Sequence, residues 1–220
     1  MARAFLFDLD GTLLDSEILW VDAVRGALVE KGCPVTAEEA LALVYGRSWG
    51  DIYAQVRDDY PGVYPSREAM SERTCALFED LKRTRDIRIE SSIRLLAALG
   101  ERHPVAIVSG SSRRMIAESI AFMGVEPYVR LYLGSEDYPA GKPDPACFLL
   151  AARLLGVPPA ACVVFEDSTA GVRAAKAAGM RCVALRRPGR PPQDLSEADE
   201  VLADLGAFRP EPCAEEAAGG

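Results

Sequence analysis

Five short apolar runs alternate with segments of helical pattern along most of this chain, and that alternation restricts its fold more than any other feature. The runs are Ala4–Leu9, Val105–Ser109, Arg130–Gly134, Cys162–Glu166 and Cys182–Leu185. Most are rich in Val, Ile, Leu and Phe, as strands buried on both faces of a parallel sheet are. The segments between them carry helix start and stop residues. Ser92 can cap a helix bearing Ile93, Leu96 and Leu99 that stops at Gly100, and Ser112 one bearing Met115, Ile116, Ile120 and Met123 that stops at Gly124. Asp144-Pro145 reads as an N-cap with proline at the first helical position, after which Phe148, Ala152 and Leu155 share a face up to Gly156. Ser168 opens a last helix through Val172, Ala175 and Ala178 to Gly179. A hydroxyl or carboxylate at the start satisfies free N–H groups, and glycine at the stop takes the left-handed turn. Alternating strands and helices predict an α/β fold with a Rossmann-like, doubly wound parallel sheet.

Residues 16–86 break the alternation and read as helices only. One runs from Ser16 to Lys31 before Gly32, a second opens at the capping box of Thr36 and Glu39, and a third covers Ser48–Asp59. The last runs from Ser66 to Arg83 with Met70, Thr74, Leu77, Phe78 and Leu81 on one face. The expected organisation is therefore a Rossmann-like core of residues 1–15 plus 87–220, with a helical cap of residues 16–86 inserted after the first strand. Open α/β sheets bind ligands beyond the carboxyl ends of their strands. A helical insert leaving from there is a candidate lid. Arg186–Gln193 reads as a loop, and Arg209–Gly220, mostly Pro, Glu, Ala and Gly, as a frayed tail.

Charge narrows the function. The net charge of −8 and the absence of a large basic cluster argue against a generic nucleic-acid binder. Lysine occurs only at 31, 82, 142 and 176, so an anion would have to be held locally, by a metal ion or a few placed cations. No apolar run approaches the ~20 residues of a membrane span. The first apolar residues run straight into Asp8 and Asp10, which is wrong for a signal peptide. The expectation is a cytoplasmic protein, a monomer by default, with no membrane or nucleic-acid partner. Cys33, Cys75, Cys147, Cys162, Cys182 and Cys213 form no C-x-x-C pair and read as reduced thiols. The single histidine, His103, excludes a histidine-rich metal site and stands at the wrong end of its strand for a catalytic triad.

The chemistry-bearing residues collect at strand ends. The first strand runs into Asp8-Leu9-Asp10-Gly11-Thr12. Carboxylates at i and i+2 of an extended chain point to one side. At the end of a buried strand they repel unless a cation or proton intervenes. Such a pair suits a hard cation such as Mg²⁺, or covalent catalysis with one carboxylate as nucleophile and the other as acid/base; the bland alternative is a pair of turn or capping aspartates. The second run ends in Ser109-Gly110-Ser111-Ser112, hydroxyls and amides leading into a helix start, which favours an anion. Lys142 stands in Gly141-Lys142-Pro143-Asp144-Pro145, and the fourth run ends in a second acidic pair, Glu166-Asp167, before Ser168. Alone, each has a bland reading: a surface lysine, a capping residue, a solvated glutamate. Together at successive strand ends they read as a metal held by carboxylates, a hydroxyl and a lysine for an anion, and a carboxylate nucleophile.

In these motifs the chain resembles the haloacid dehalogenase superfamily, in the branch of small sugar-phosphate phosphatases and β-phosphoglucomutase. Asp8-Leu9-Asp10-Gly11-Thr12-Leu13-Leu14-Asp15-Ser16-Glu17 is similar to the first family motif, Ser109 to the second, Lys142 to the third, and Glu166-Asp167-Ser168 with Gly171 and Gly179 to the fourth. The resemblance covers the chain to about Leu205. It implies a Rossmann-like core with an inserted helical cap and a Mg²⁺-dependent phosphatase acting on a small phosphate ester. It implies Asp8 as nucleophile and metal ligand, and Asp10 as acid/base with its carbonyl on the metal. Ser109 and Lys142, with the Gly110 amide, would hold phosphoryl oxygens. Asp167 would be a metal ligand, supported by Glu166 directly or from behind. Specificity would come from the cap, where Glu17, Trp20, Arg47 and Trp49 are the candidates. A phosphomutase and a non-catalytic binding protein on the same scaffold are the alternatives; the intact acidic set argues against the second. The mutase carries a histidine and an arginine in its cap that fall here at Trp20 and Trp49.

Overall fold

The computed structural model describes residues 3–210 except 46 and 48, and the chain divides into two compact units, one of residues up to 14 and from 88 on, the other of residues 15–87. The expected helix start at Ser48, the tail beyond 210 and Cys213 lie outside the described residues.

The first unit is built on a six-stranded, wholly parallel sheet. Its strands are β1 (Ala4–Phe7), β2 (Val105–Val108), β3 (Leu131–Leu133), β4 (Cys162–Glu166), β5 (Arg181–Leu185) and β6 (Glu200–Leu202). They lie in the order β3-β2-β1-β4-β5-β6. Phe5 pairs with Val105 on one side and Val163 on the other. This is the Rossmann order, in which the winding reverses between β1 and β4 and opens a crevice at the carboxyl ends of those two strands. β1, β2 and β4 are buried throughout, which is why they read as continuous apolar runs.

One face of the sheet packs Leu6, Val108 and Val164 against Phe148, Ala151 and Val172 of the intervening helices. The other stacks Phe7 on Phe165, ring centroids 4.4 Å apart, with Phe208 edge-on to Phe165 at 5.0 Å. His103 packs edge-on against Phe5 at 5.2 Å, beside the start of β1. Its role is aromatic packing, away from the strand ends that carry the acidic residues.

Among the described residues the second unit holds four helices, Ser16–Glu30, Ala37–Val44, Trp49–Asp59 and Arg67–Thr84. Val24, Leu28, Val44, Ile52, Val56 and Met70 share its core, and the Tyr64 hydroxyl donates to the Ala27 carbonyl at 2.8 Å. The capping box forms as expected: the Glu39 amide donates to Thr36 Oγ1 and the Thr36 amide to Glu39.

Some expected boundaries move. The helix read as starting at Ser92 spans Glu90–Gly100; Ser92 is buried inside it, and the Ile89 amide donates to the Leu13 carbonyl instead. With Glu90 in the first turn, the helix start is favoured by charge rather than by a hydroxyl cap. The next helix after β3 spans Ala146–Leu155, one residue later than read, with Pro145 at the cap; Asp144 still accepts from the Ala146 amide. The helix after β4 stops at Ala177, and Gly179 takes the left-handed turn two residues later. β6 was not read from the sequence: it is a three-residue edge strand with an exposed Val201 and too short to show a pattern.

Candidate active site

The acidic pair lies just past β1. The strand ends at Phe7, and the Asp8 amide still donates to the Phe165 carbonyl of β4, so the Asp8 side chain emerges in the crevice between β1 and β4. A tight turn follows, in which the Leu13 and Leu14 amides both donate to the Leu9 carbonyl. Gly11 is needed there twice over. Its φ is +93°, and a Cβ would come 2.1 Å from Asp167 Oδ2.

Lys142 is the hub of the site. Its Nζ donates to Asp8 Oδ1 at 2.6 Å, to Glu166 Oε1 at 2.6 Å and to the Val108 carbonyl at 3.1 Å. Those three bonds use all three ammonium protons. Burial works against the charge on Lys142, yet Asp8 and Glu166 raise its pKa well above the ordinary lysine value. Burial pushes the Asp8 carboxyl up to about 8; Lys142 opposes this, and repulsion from Glu166 and Asp10 adds to it. Asp8 Oδ2 is buried and has no hydrogen-bond partner.

Glu166, at the end of β4, is wholly buried. Its Oε2 accepts from the Asp167 amide, the Ser168 amide and the Ser168 hydroxyl at 3.0, 3.1 and 2.9 Å. With Lys142 on Oε1, the carboxylate has protein partners on both oxygens. Ser168 also caps the following helix through the Gly171 amide. Asp167 receives the Thr12 hydroxyl at 3.4 Å. One carboxylate oxygen each of Asp8, Glu166 and Asp167 lie within 4.8 Å of one another, a hard-oxygen group of the kind that holds Mg²⁺. The orphaned Asp8 oxygen fits a cation there.

Ser109 is fully buried at the end of β2, and its carbonyl accepts from the Tyr138 hydroxyl at 2.7 Å. Its own hydroxyl donates to Asp10 Oδ2 at 2.9 Å, and the Ser111 hydroxyl reaches the same oxygen at 2.8 Å. Ser111 and Tyr138 were not singled out from the sequence. Ser111 stood in a visible run of hydroxyls, whereas nothing local marks Tyr138. Gly110 is exposed, and a side chain there would meet nothing within 4 Å. Hydrogen bonds thus link Asp8, Lys142, Glu166 and the Asp167 amide in one set and Asp10, Ser109 and Ser111 in another, with Asp10 near enough to Asp8 to repel it.

The candidates of the second unit gather separately. Glu17, Trp20, Arg47 and Trp49 line one cavity of about 430 Å³, with Tyr45 and Cys75 among its other walls. Trp20 stacks on Phe78 at 4.1 Å and lies 6.4 Å from Trp49. Both tryptophans therefore serve the packing of this unit as well as its cavity. Trp49 Nε1 is buried without a partner. Arg47 is exposed, with Nη2 donating to the Asp51 carbonyl at 3.4 Å.

Known proteins are similar to this chain along most of its length. The chain is 32% identical over 233 residues to a phosphoglycolate phosphatase of Pseudomonas putida, covering all of this chain and 82% of that one. It is 32% identical over 208 residues to hexitol phosphatase A of Escherichia coli, covering 92% and 91%. A solved hydrolase of Deinococcus radiodurans with bound phosphate and sodium superposes with a TM-score of 0.75 at 30% identity, covering 91% and 90%. CbbY of Rhodobacter sphaeroides, solved with phosphate, shares the fold with a TM-score of 0.73 at 24% identity, covering 94% and 96%. The family model described as haloacid dehalogenase-like hydrolase matches residues 2–179, and the chain belongs to that family.

Proposed function

We propose that this enzyme, a phosphomonoesterase of its family, hydrolyses a small phosphorylated metabolite of the sugar-phosphate class through an aspartyl-phosphate intermediate. The observation that carries the reading is Lys142, whose ammonium bridges Asp8 and Glu166 while the second oxygen of Asp8 lies buried without a partner. A carboxylate so placed can attack phosphorus, and a buried cation beside it offsets charge on the transferring group. Relatives named as phosphatases of phosphoglycolate, hexitols and fructose 1-phosphate support the substrate class.

Asp8 and Asp167, with the Asp10 carbonyl, would hold Mg²⁺. Glu166, with both oxygens engaged by the protein, would instead keep Lys142 and the Asp167 loop in place. When bound, the ion supplies charge neutralisation on the phosphoryl oxygens. Asp8 attacks in line while Asp10 gives its proton to the leaving oxygen. Asp10 then takes a proton from the water that opens the aspartyl phosphate, and Asp8 is regenerated. Ser109 and the Gly110 amide orient the phosphoryl oxygens, and Lys142 attracts them through its charge. Glu17, Trp20, Arg47 and Trp49 select the leaving group, the indoles offering flat apolar faces and Glu17 and Arg47 hydrogen bonds.

The same reading takes the enzyme as a cytoplasmic monomer without a nucleic-acid or membrane partner. The free thiols of Cys33, Cys75, Cys147, Cys162 and Cys182 support a reducing compartment, and no helix of the described residues is long and apolar enough to cross a membrane. A screen of phosphorylated metabolites, with Mg²⁺ and with chelator, tests the function. Mg²⁺-dependent phosphate release from sugar phosphates is expected, and no release from any ester would overturn it.

A further inference from the structure

We infer that Ser111 is the positioning residue for the acid/base Asp10, holding its carboxyl in place when a substrate phosphoryl oxygen takes the Ser109 proton. The inference rests on the phosphomonoesterase reading above, and it concerns a residue to which that reading gives no role.

Ser109 and Ser111 both donate to Asp10 Oδ2, at 2.9 and 2.8 Å. A hydroxyl has one proton to give. Ser109 cannot donate to Asp10 and to a phosphoryl oxygen at once. Its Oγ also accepts the Ser111 amide at 3.0 Å, which leaves the hydroxyl proton to go to one acceptor at a time. If a phosphoryl oxygen takes the Ser109 proton, the Ser109 hold on Asp10 is lost at the moment Asp10 is needed. Ser111 makes the second hold, and no phosphate-binding role competes for its proton in the reading above.

Ser111 is built to stay. Its amide is engaged by Ser109 Oγ, and its carbonyl accepts from the Ser135 amide at 3.0 Å. Gly134 packs against that carbonyl so closely that a Cβ would lie 2.8 Å from it. The next residue, Ser112, caps the following helix through the Met115 amide. The Ser111 side chain thus stands on backbone fixed from both sides, as a group that orients another must. During the first step Asp10 gives its proton to the ester oxygen as the P–O bond breaks and Asp8 bonds to phosphorus. Ser111 keeps its proton throughout and fixes the carboxyl plane through Oδ2.

The test uses kcat/KM, which reports events through transfer of the phosphoryl group to Asp8, on two esters. An alkyl phosphate needs its leaving oxygen protonated, whereas p-nitrophenyl phosphate leaves without that help. For Ser111→Ala, kcat/KM on the alkyl ester is expected to fall roughly tenfold further than on p-nitrophenyl phosphate, the size of one hydrogen bond to a charged group. Ser111→Thr, which keeps a hydroxyl, should retain the wild-type ratio between the esters. Asp10→Asn, which removes the acid itself, should change that ratio more strongly than Ser111→Ala. An equal loss on both esters for Ser111→Ala, no loss, or a threonine variant behaving like alanine would overturn the inference while a ratio change in Asp10→Asn leaves the phosphatase reading standing. A wild-type enzyme without phosphate release, or an Asp10→Asn variant with the wild-type ratio, would overturn both.

Discussion

The Glu166 carboxylate lies where a side chain on residue 171 would begin: a Cβ there would come within 1.8 Å of its carboxyl carbon and Oε1. Glycine at 171 therefore makes room for the carboxylate that faces Lys142, and the first turn of a helix is shaped by a charge on the preceding strand.

Gly171→Ala is expected to push Glu166 off Lys142 and off the Ser168 loop. Overpacking of this kind costs about 1–3 kcal/mol. The urea midpoint should fall, and phosphate release should fall with it, because Lys142 loses one of its two carboxylates. An unaltered midpoint would show that the carboxylate relocates without strain.

Asp8→Asn is expected to abolish phosphate release and keep the fold. An amide cannot attack phosphorus as the carboxylate does, and Lys142 retains Glu166 as its ion-pair partner. Circular dichroism should be native and the melting temperature no lower than wild type by more than a few degrees, on the scale of ~1 kcal/mol. Near-wild-type phosphate release by this variant would end the nucleophile assignment.

The legible part of this site is the part carried by residue type and position along the chain. Asp8, Asp10, Ser109, Glu166 and Asp167 could each be placed at or just past a strand end because the apolar runs mark where strands stop, and Lys142 could be placed just before a helix start. What could not be read depends on distant partners. Ser92 has the chemistry of a cap, but the pairing of Ile89 with Leu13 sets the helix start. Gln193, in a segment read only as a loop, accepts from the Thr169 amide at the start of the helix after β4. The use of both Glu166 oxygens follows from the fold of the Asp167-Ser168 turn and from Lys142, 24 residues away. Ser111 differs from its neighbours only in reaching Asp10, 101 residues earlier. Periodicity fixes which face of an element is buried; it does not say which of several hydroxyls meets a given carboxylate.

Asp167→Asn is expected to raise the Mg²⁺ concentration needed for half-maximal activity by at least ~10-fold, the scale of losses at metal sites when a supporting group is changed. Chelator should abolish activity in the wild type. The site is crowded on this side, since the Asp167 carboxylate sits against Gly11 and receives the Thr12 hydroxyl, so the asparagine can keep its place while losing its charge. Activity that persists in excess chelator, or a metal titration that does not shift in the variant, would remove Asp167 from the ligand set.

The final prediction separates hydrolysis from phosphoryl transfer within a sugar phosphate. The resemblance to β-phosphoglucomutase carries a cap histidine and a cap arginine that fall here at Trp20 and Trp49. Neither tryptophan can carry a charge, and an indole offers one N–H and no acceptor. Trp20 is further committed to packing, stacked on Phe78 with ring centroids 4.1 Å apart. Arg47, on the same cavity, could replace the arginine, but the histidine has no counterpart because His103 is spent on Phe5 beside the start of β1. Without a charged group to hold the acid/base back between transfers, water should capture the aspartyl phosphate. With β-glucose 1-phosphate followed by ³¹P NMR, any phosphate lost from the ester is expected to appear as inorganic phosphate, in a stoichiometry of about one, with no build-up of glucose 6-phosphate. Sugar-acid, pentose and hexose phosphates should behave alike in this respect. Accumulation of glucose 6-phosphate with little inorganic phosphate would overturn the hydrolase reading in favour of the mutase, and Trp20→His, which restores a group able to carry charge, should shift the partition in that same direction.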